Sequence, residues 1–278
     1  MIARALAVAL IAVLSACGEG TSPNQVDAAL LTPALLREDA QQVQAYMAKL
    51  PAGYTEYRVD TIGRFYVDDD KDVIKRYIKE NYVWERHLVE LFARYAKPAS
   101  TVIDAGAHIG MHTVSLARLV GPEGRVYAFE PQRKIFRELV FNVRLNDLDK
   151  VAVPLRFALG HTAAVAAMDR ATPGNEGSTQ LGSGGDPVEL RTLDSFAFRN
   201  VSLIKIDVEH FEDFLLEGAQ LTIARYKPVL IVEIMGGYVY EDAPAKVKAQ
   251  VDATSKRIRA MGYKVTRVGP YDYLAVPE

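Results

Sequence analysis

The densest chemistry-bearing pattern in this 278-residue chain is Asp104-Ala105-Gly106-Ala107-His108-Ile109-Gly110, followed twenty residues after Gly110 by Glu130. Each carboxylate ends a short apolar run, Thr101 to Asp104 and Arg125 to Glu130, so both belong at the carboxyl ends of strands, where open α/β sheets bind ligands. Glu130 can accept two hydrogen bonds from ribose hydroxyls, which points to a nucleoside. A pyrophosphate would need G-x-G-x-x-G so that it could rest on a helix N-terminus. Here the glycines read G-x-x-x-G and Asp104 stands before them. That carboxylate would repel a diphosphate and suit an ammonium or sulfonium group. Gly106 permits positive φ or close backbone approach, and Gly110 tight packing of helix on strand.

A second group follows in Leu203-Ile204-Lys205-Ile206-Asp207-Val208-Glu209-His210-Phe211-Glu212, where charges interrupt an apolar run at the same sheet edge. Buried charges are costly unless paired. Lys205 can therefore pair with Asp207 or Glu209, or Asp207 can cap a helix; the functional alternative has Asp207 and Glu209 facing the cleft. Glu233, ending a later strand, raises the same question. Asp207 and His210 are the candidate proton acceptors, since an imidazole titrates near neutrality. His87, His112 and His161 read as surface or structural residues. Asp68-Asp69-Asp70 reads as a helix cap, and no metal ligand is assigned.

These residues need strands and helices in alternation, and from Lys97 onward the chain supplies them. Strands are expected at Thr101 to Asp104, Arg125 to Glu130, Val151 to Ala158, Leu203 to Asp207 and Val229 to Ile234, and helices at Met111 to Val120, Arg133 to Asn146, Phe211 to Gly218 and Ala243 to Met261. Tyr263 to Val268 and Tyr273 to Val276 flank Gly269-Pro270 and read as a closing hairpin. The fold class is α/β: a Rossmann-like, mostly parallel twisted sheet with helices on both faces, ending in an antiparallel hairpin and preceded by a helical N-terminal region. In that region a helix is expected from Val26 to Leu50, a short strand or hairpin from Tyr57 to Val67, and an amphipathic helix from Asp72 to Tyr95. Thr172 to Pro187, rich in Gly and Ser, reads as a long loop.

Composition narrows the function. Lys and Arg number 33 against 35 Asp and Glu, a formal net charge of −2, without the basic footprint of a nucleic-acid binder. The single cysteine, Cys17, excludes a disulfide framework, a cysteine-rich zinc site and an iron–sulfur cluster. It follows an apolar run, Ala5 to Leu14, and the sequence Leu14-Ser15-Ala16. This resembles a bacterial lipobox: residues 1–16 would be a signal peptide, cleavage would precede Cys17, and a lipid there would attach the chain to a membrane. The alternative is an uncleaved apolar start. Residues 17–96 would then form a linker and helical region, and 97–278 the catalytic domain.

The nucleoside site with its acidic turn favours S-adenosylmethionine over NAD. Together with Val126-Tyr127-Ala128-Phe129-Glu130-Pro131, Asn142-Val143-Arg144-Leu145-Asn146, Ala158-Leu159-Gly160, Thr192-Leu193-Asp194, Ile204 to Glu209, Glu217-Gly218-Ala219 and Pro228 to Glu233, the chain from about Trp84 to Val276 resembles the FkbM-type methyltransferases, a branch of the class I S-adenosylmethionine-dependent enzymes. The resemblance implies that Asp104, Gly106 and Gly110 line the methionine end of the cofactor, with Ala107 and His108 as further contacts. It implies that Glu130 holds the ribose and that Asp207 and Glu209 flank the methyl group. The acceptor would be a hydroxyl on a sugar, glycan or other small molecule. His108 and His210 depart from the Asn and Gly usual in the family. Two alternatives are a lipid-anchored binding protein with this fold and no catalysis, motivated by Cys17, and an NAD-dependent oxidoreductase, which lacks its glycines. The leader suggests membrane anchoring, whereas the supply of S-adenosylmethionine suggests the cytoplasm.

Overall fold

The computed structural model describes residues 53–168, 181–182, 186–234 and 239–278; the leader, Cys17, the helix expected over Val26 to Leu50 and most of the loop from Thr172 to Pro187 lie outside them. Its centre is a seven-stranded sheet in the order β12-β13-β11-β10-β3-β4-β5. The strands are β3 (Thr101–Ala105), β4 (Arg125–Phe129), β5 (Ala152–Leu155), β10 (Val201–Ile206), β11 (Val229–Glu233), β12 (Tyr263–Arg267) and β13 (Asp272–Pro277). Strands β11, β10, β3, β4 and β5 run parallel, while β13 pairs antiparallel with both β11 and β12 as the expected closing hairpin. The chain starts at central β3, winds outward to β5 and returns on the other side at β10. Between β3 and β10 the winding reverses, which opens a crevice at their carboxyl ends.

Both faces of the sheet are covered, so its central strands are mostly apolar, with Asp104 in β3 and Lys205 in β10 as buried charges. Ile103, Phe129, Ile204, Ile206 and Val232 pack on one side with Phe196, Leu215 and Ile258. On the other side, Val102, Ala128, Leu203 and Ile231 meet Leu88, Phe92, Leu116 and Leu139. The covering helices are α2 (Arg86–Tyr95), α3 (Met111–Val120), α4 (Arg133–Leu145), α5 (Glu212–Glu217), α6 (Gln220–Tyr226) and α7 (Ala245–Ala260). None of the helices among the described residues is long and apolar enough to cross a membrane.

The N-terminal part corrects the sequence reading in two places. The hairpin forms, as β1 (Thr55–Val59) and β2 (Gly63–Val67), but the helix expected over Asp72 to Tyr95 is two: α1 (Val73–Lys79) and α2. Asn81 and Glu85 between them have positive φ, so the chain leaves the helical region and turns. Nor does the acidic run cap a helix. The cap is Asp72, whose side chain accepts from the Lys75 backbone N–H, while Asp68 accepts from the buried Lys75 ammonium at 2.7 Å.

This part shares a core with the sheet domain. Val59, Phe65, Val67 and Ile78 pack on Ile109, Met111, Val114 and Ile135. Two asparagines on one face of α4, four residues apart, join the parts: Asn142 and Asn146 accept from the Tyr66 and Arg64 backbone N–H groups of β2 at 2.8 and 3.0 Å, and Asn142 also donates to the Ile109 carbonyl at 2.9 Å. Edge strand and glycine turn are thus held by one helix, which gives the motif Asn142-Val143-Arg144-Leu145-Asn146 a structural reason.

The run Val151 to Ala158 also divides, into β5 and β6 (Ala158–Leu159). Pro154 suits β5 because that strand lies at the sheet edge. A second sheet, unforeseen from the sequence, joins β6, β7 (Ala164–Met168), β8 (Leu181–Gly182) and β9 (Pro187–Arg191) in the order β6-β9-β7-β8. Helix α6, equally unforeseen, follows Gly218, where a Cβ would overlap the Gly160 carbonyl. Asp194 accepts from the first backbone N–H groups of α6, Leu221 and Thr222, at 2.9 and 2.8 Å. The Gly160, Asp194 and Gly218 motifs therefore build the scaffold.

Candidate active site

After β3 the chain turns through Gly106, whose φ of +79° and lack of a side chain let the turn lie against β10; a Cβ there would overlap the Asp207 carbonyl. The Gly106 and Ala107 N–H groups donate to the Phe129 carbonyl at 3.0 and 2.9 Å, and the Asp207 N–H to the Ala105 carbonyl at 3.0 Å. Three strand ends are thereby locked at one point. Beneath them the buried Lys205 ammonium donates to the Gly106 carbonyl at 2.8 Å and to Asp207 Oδ2 at 3.0 Å, with Asp104 Oδ1 at 3.6 Å.

Two cavities open at this crevice and share Gly106 and Asp207. The first, about 510 Å³ with its open mouth included, is lined by Glu130, Gln132 and Glu209 among apolar residues including Phe129, Phe157, Leu159, Met168 and Phe211. The second, about 280 Å³, is lined by Ala107, His108, Glu85, His112 and Lys205 with Trp84 and Met111.

Of the residues singled out in the sequence, Gly106, Ala107, His108, Glu130, Asp207 and Glu209 line one or both cavities. Asp104 lines neither. It is fully buried under the turn, accepting from Thr113 Oγ1 at 2.6 Å and facing Lys205, so its charge is answered inside the protein. Gly110 also lines neither; its φ is +95° and a Cβ would press on Leu139, the tight helix packing expected of it. His210 lines neither, and its backbone N–H donates to Glu212 Oε1 at 2.9 Å. Asp207 pairs with Lys205 and also lines both cavities. His108 and His210 have φ of +49° and +72°, a region that Asn and Gly enter more readily than His.

Electrostatics set the site apart. Burial pushes the Glu130 carboxyl up to about 7, against the N–H groups of Gln132 and His108 that bond its two oxygens at 2.8 and 3.0 Å. Burial, then the Asp207 charge, pushes Glu209 up to about 7. Asp104 is also raised, by burial. Burial alone would lower the Lys205 ammonium, but Asp207, Asp104 and Glu85 more than reverse this and hold it above its ordinary value.

Glu233, singled out in the sequence, lines neither cavity but meets two acids that the sequence reading missed. Glu85, Glu233 and Asp272 bring one carboxylate oxygen each within 4.8 Å of one another. Burial and neighbouring carboxylates, Asp207 first, raise Glu85 to about 8 and Glu233 to about 10. His112, read as surface or structural, is buried in the wall of the second cavity, where burial and then Lys205 lower it to about 3. His87 Nε2 lies 2.8 Å from Asp272 Oδ2. The signal for His112 is its place in the first turn of the helix that follows the glycine turn. Glu85 and Asp272 lie far from it in the chain, and only the fold brings them in.

The profile of the family described as "Methyltransferase FkbM domain" matches residues 104–265, more than half of the chain. Among solved structures, a methyltransferase FkbM from Methylobacillus flagellatus is 17% identical with a TM-score of 0.44, covering 87% of this chain and 59% of that one. This chain thus spans less than two thirds of that protein's length. Aeropyrum pernix fibrillarin with bound S-adenosyl-L-methionine is 12% identical with a TM-score of 0.42, covering 82% and 84%. The tRNA m1G37 methyltransferase of M. jannaschii is 12% identical with a TM-score of 0.40, covering 82% and 58%. No curated protein matches the chain.

Proposed function

The chain belongs to the FkbM methyltransferase domain family, and from that premise we propose that it transfers a methyl group from S-adenosylmethionine to a hydroxyl of a sugar, glycan or other small molecule. The observation that carries this reading is the junction of the two cavities at Gly106 and Asp207. The residues present fit the cofactor. Glu130 is a carboxylate at the strand end beside the glycine turn, and Phe157, Leu159 and Phe211 give an apolar wall for a flat base. Gly106 leaves backbone where a side chain would stand, and an excess of acid suits a sulfonium.

S-adenosylmethionine supplies a methyl group made electrophilic by its sulfonium. On this reading Glu130 accepts from the ribose hydroxyls, and Gly106, Ala107 and His108 hold the methionine end. Asp104 acts through Lys205, fixing the ammonium that in turn fixes Asp207. Asp207 accepts the proton of the acceptor hydroxyl, with orientation supplying most of the rate. His210, one residue beyond Glu209, is the alternative base, and Asp207→Asn and His210→Gln tested separately tell them apart. Membrane attachment through a lipidated Cys17 is a separate proposal, tested by metabolic lipid labelling.

The test is to purify the full chain, identify bound nucleoside by mass spectrometry, and follow methyl label from S-adenosylmethionine into panels of sugars, polysaccharides and RNA. Bound S-adenosyl compound and label in a hydroxyl of a sugar support the reading. Label in RNA alone would overturn the acceptor class, which rests on the net charge of −2, and absence of any bound nucleoside would overturn the whole.

A further inference from the structure

We propose that Glu85, Glu233 and Asp272 form a binding site for one divalent metal cation at the edge of the second cavity, with the His112 ring set against Glu85. One oxygen from each carboxylate lies within 4.8 Å of the others, the span that donors about 2.0–2.4 Å from a shared ion can cover. Among the described residues none of the three acids has a lysine or arginine within ion-pair distance; the neighbouring Lys205 is engaged with Asp207 and the Gly106 carbonyl.

Two further observations, independent of that clustering, point to a ligand. His112 is 6% exposed and bonds the Trp84 backbone, while its Nε2 has no hydrogen-bond partner and lies 3.6 Å from Glu85 Oε2. With Nδ1 donating to Trp84, Nε2 of the neutral ring carries a lone pair. That buried lone pair points at Glu85, one member of the cluster. The second observation is Asp272, 2% exposed, whose Oδ1 has no hydrogen-bond partner. Its Oδ2 is oriented by His87 at 2.8 Å, as ligating carboxylates are oriented by an outer hydrogen bond.

Three carboxylates suit a hard divalent ion of the Mg²⁺ or Mn²⁺ kind. The site joins elements distant in sequence: the turn before α2, the end of β11 and the start of β13. Glu85 and His112 also line the second cavity, so a cation here would stand where a hydroxyl-bearing acceptor could reach it. Cation binding itself rests only on these three carboxylates and does not depend on the proposed methyl transfer.

The probe is Mn²⁺ alone, titrated into the metal-stripped full chain without methyl donor or acceptor and followed by the electron paramagnetic resonance of free Mn²⁺. One Mn²⁺ bound per chain is expected, weakened at least tenfold by Glu233→Gln and by Glu85→Gln and left unchanged by Glu123→Gln on the surface. If Glu233→Gln does not fold, Glu85→Gln decides. A wild-type chain that leaves Mn²⁺ free would overturn the proposal, and so would binding that both site variants retain at full strength.

Discussion

Two buried lysines lie among the described residues, and their surroundings differ in one respect. Lys75, between the hairpin and α4, meets Asp68 at 2.7 Å and Glu138 at 3.0 Å, and Lys134 stands within 4 Å of the same two acids. Two ammonium groups thus share the two carboxylates that Lys75 touches. Lys205, at the crevice, pairs with Asp207 and faces Asp104, and the Glu85, Glu233 and Asp272 carboxylates crowd the same edge. One ammonium there serves an excess of acid. Charges matched in pairs fasten one part of a chain to another. An excess of one sign, held in place by a buried counter-charge, costs stability and is kept where a ligand of the other sign completes it.

The largest effect should come from removing each lysine in turn. Lys205→Met leaves Asp104 buried without a cation and should cost about 3–5 kcal/mol in chemical denaturation, the cost of breaking a buried pair. Lys75→Met leaves Lys134 beside both acids and should cost no more than about half as much. Equal losses would erase the distinction between the two clusters.

The response to pH separates single acids of the two clusters: Asp68 beside Lys75 is shifted down and Glu209 at the crevice up, while burial also raises Glu138 beside Lys75 to about 7. Burial opposes ionisation of Asp68, yet Lys134 and Lys75 hold its carboxyl below the ordinary value of 3.8; its contribution is present above that value and is lost as acid is added. Glu209 is raised from 4.5 to about 7, so its contribution is complete below 4.5 and is lost as pH rises through about 7. Stability should therefore fall between about pH 4.5 and 7, and Glu209→Gln should flatten part of that fall. Glu130, raised to about 7, must be ionised to accept two ribose hydroxyls. Affinity for S-adenosylmethionine should then rise up to about tenfold per unit below that pH and level above it. Calorimetry from pH 6 to 8 checks the slope.

The smallest expected effect lies in the backbone. His210 holds a φ of +72°, and His210→Gly should stabilise the chain by about 1 kcal/mol, because glycine enters that region without the Cβ clash. No gain in melting temperature would mean that the imidazole makes contacts worth as much as the strain.

Much of the fold was legible because parallel strands buried on both faces read as short apolar runs, and β3, β4, β10 and β11 each end within two residues of the expected position. The glycine turn and Glu130 were legible for the same reason: they sit where such runs stop. What could not be read was long-range. A four-stranded sheet with two strands of two residues leaves almost no periodic trace. The break between α1 and α2 depends on positive φ at Asn81 and Glu85, residue types that also occur inside helices. Asp104 is placed by its strand end and by the family motif, neither of which shows that it lies buried against Lys205 and outside both cavities. Glu85, His112 and Asp272 gather from three separate stretches, which no local pattern in the sequence announces.

The central claim is that this acid-rich crevice takes a cationic nucleoside through Glu130, and calorimetric titration of S-adenosylmethionine into wild type, Glu130→Gln and Lys75→Met tests it. The account predicts one site per wild-type chain, affinity at least about tenfold weaker in Glu130→Gln from the loss of a charged hydrogen-bond acceptor, and no change in Lys75→Met. Equal affinity in wild type and Glu130→Gln, or no binding to wild type, would contradict it.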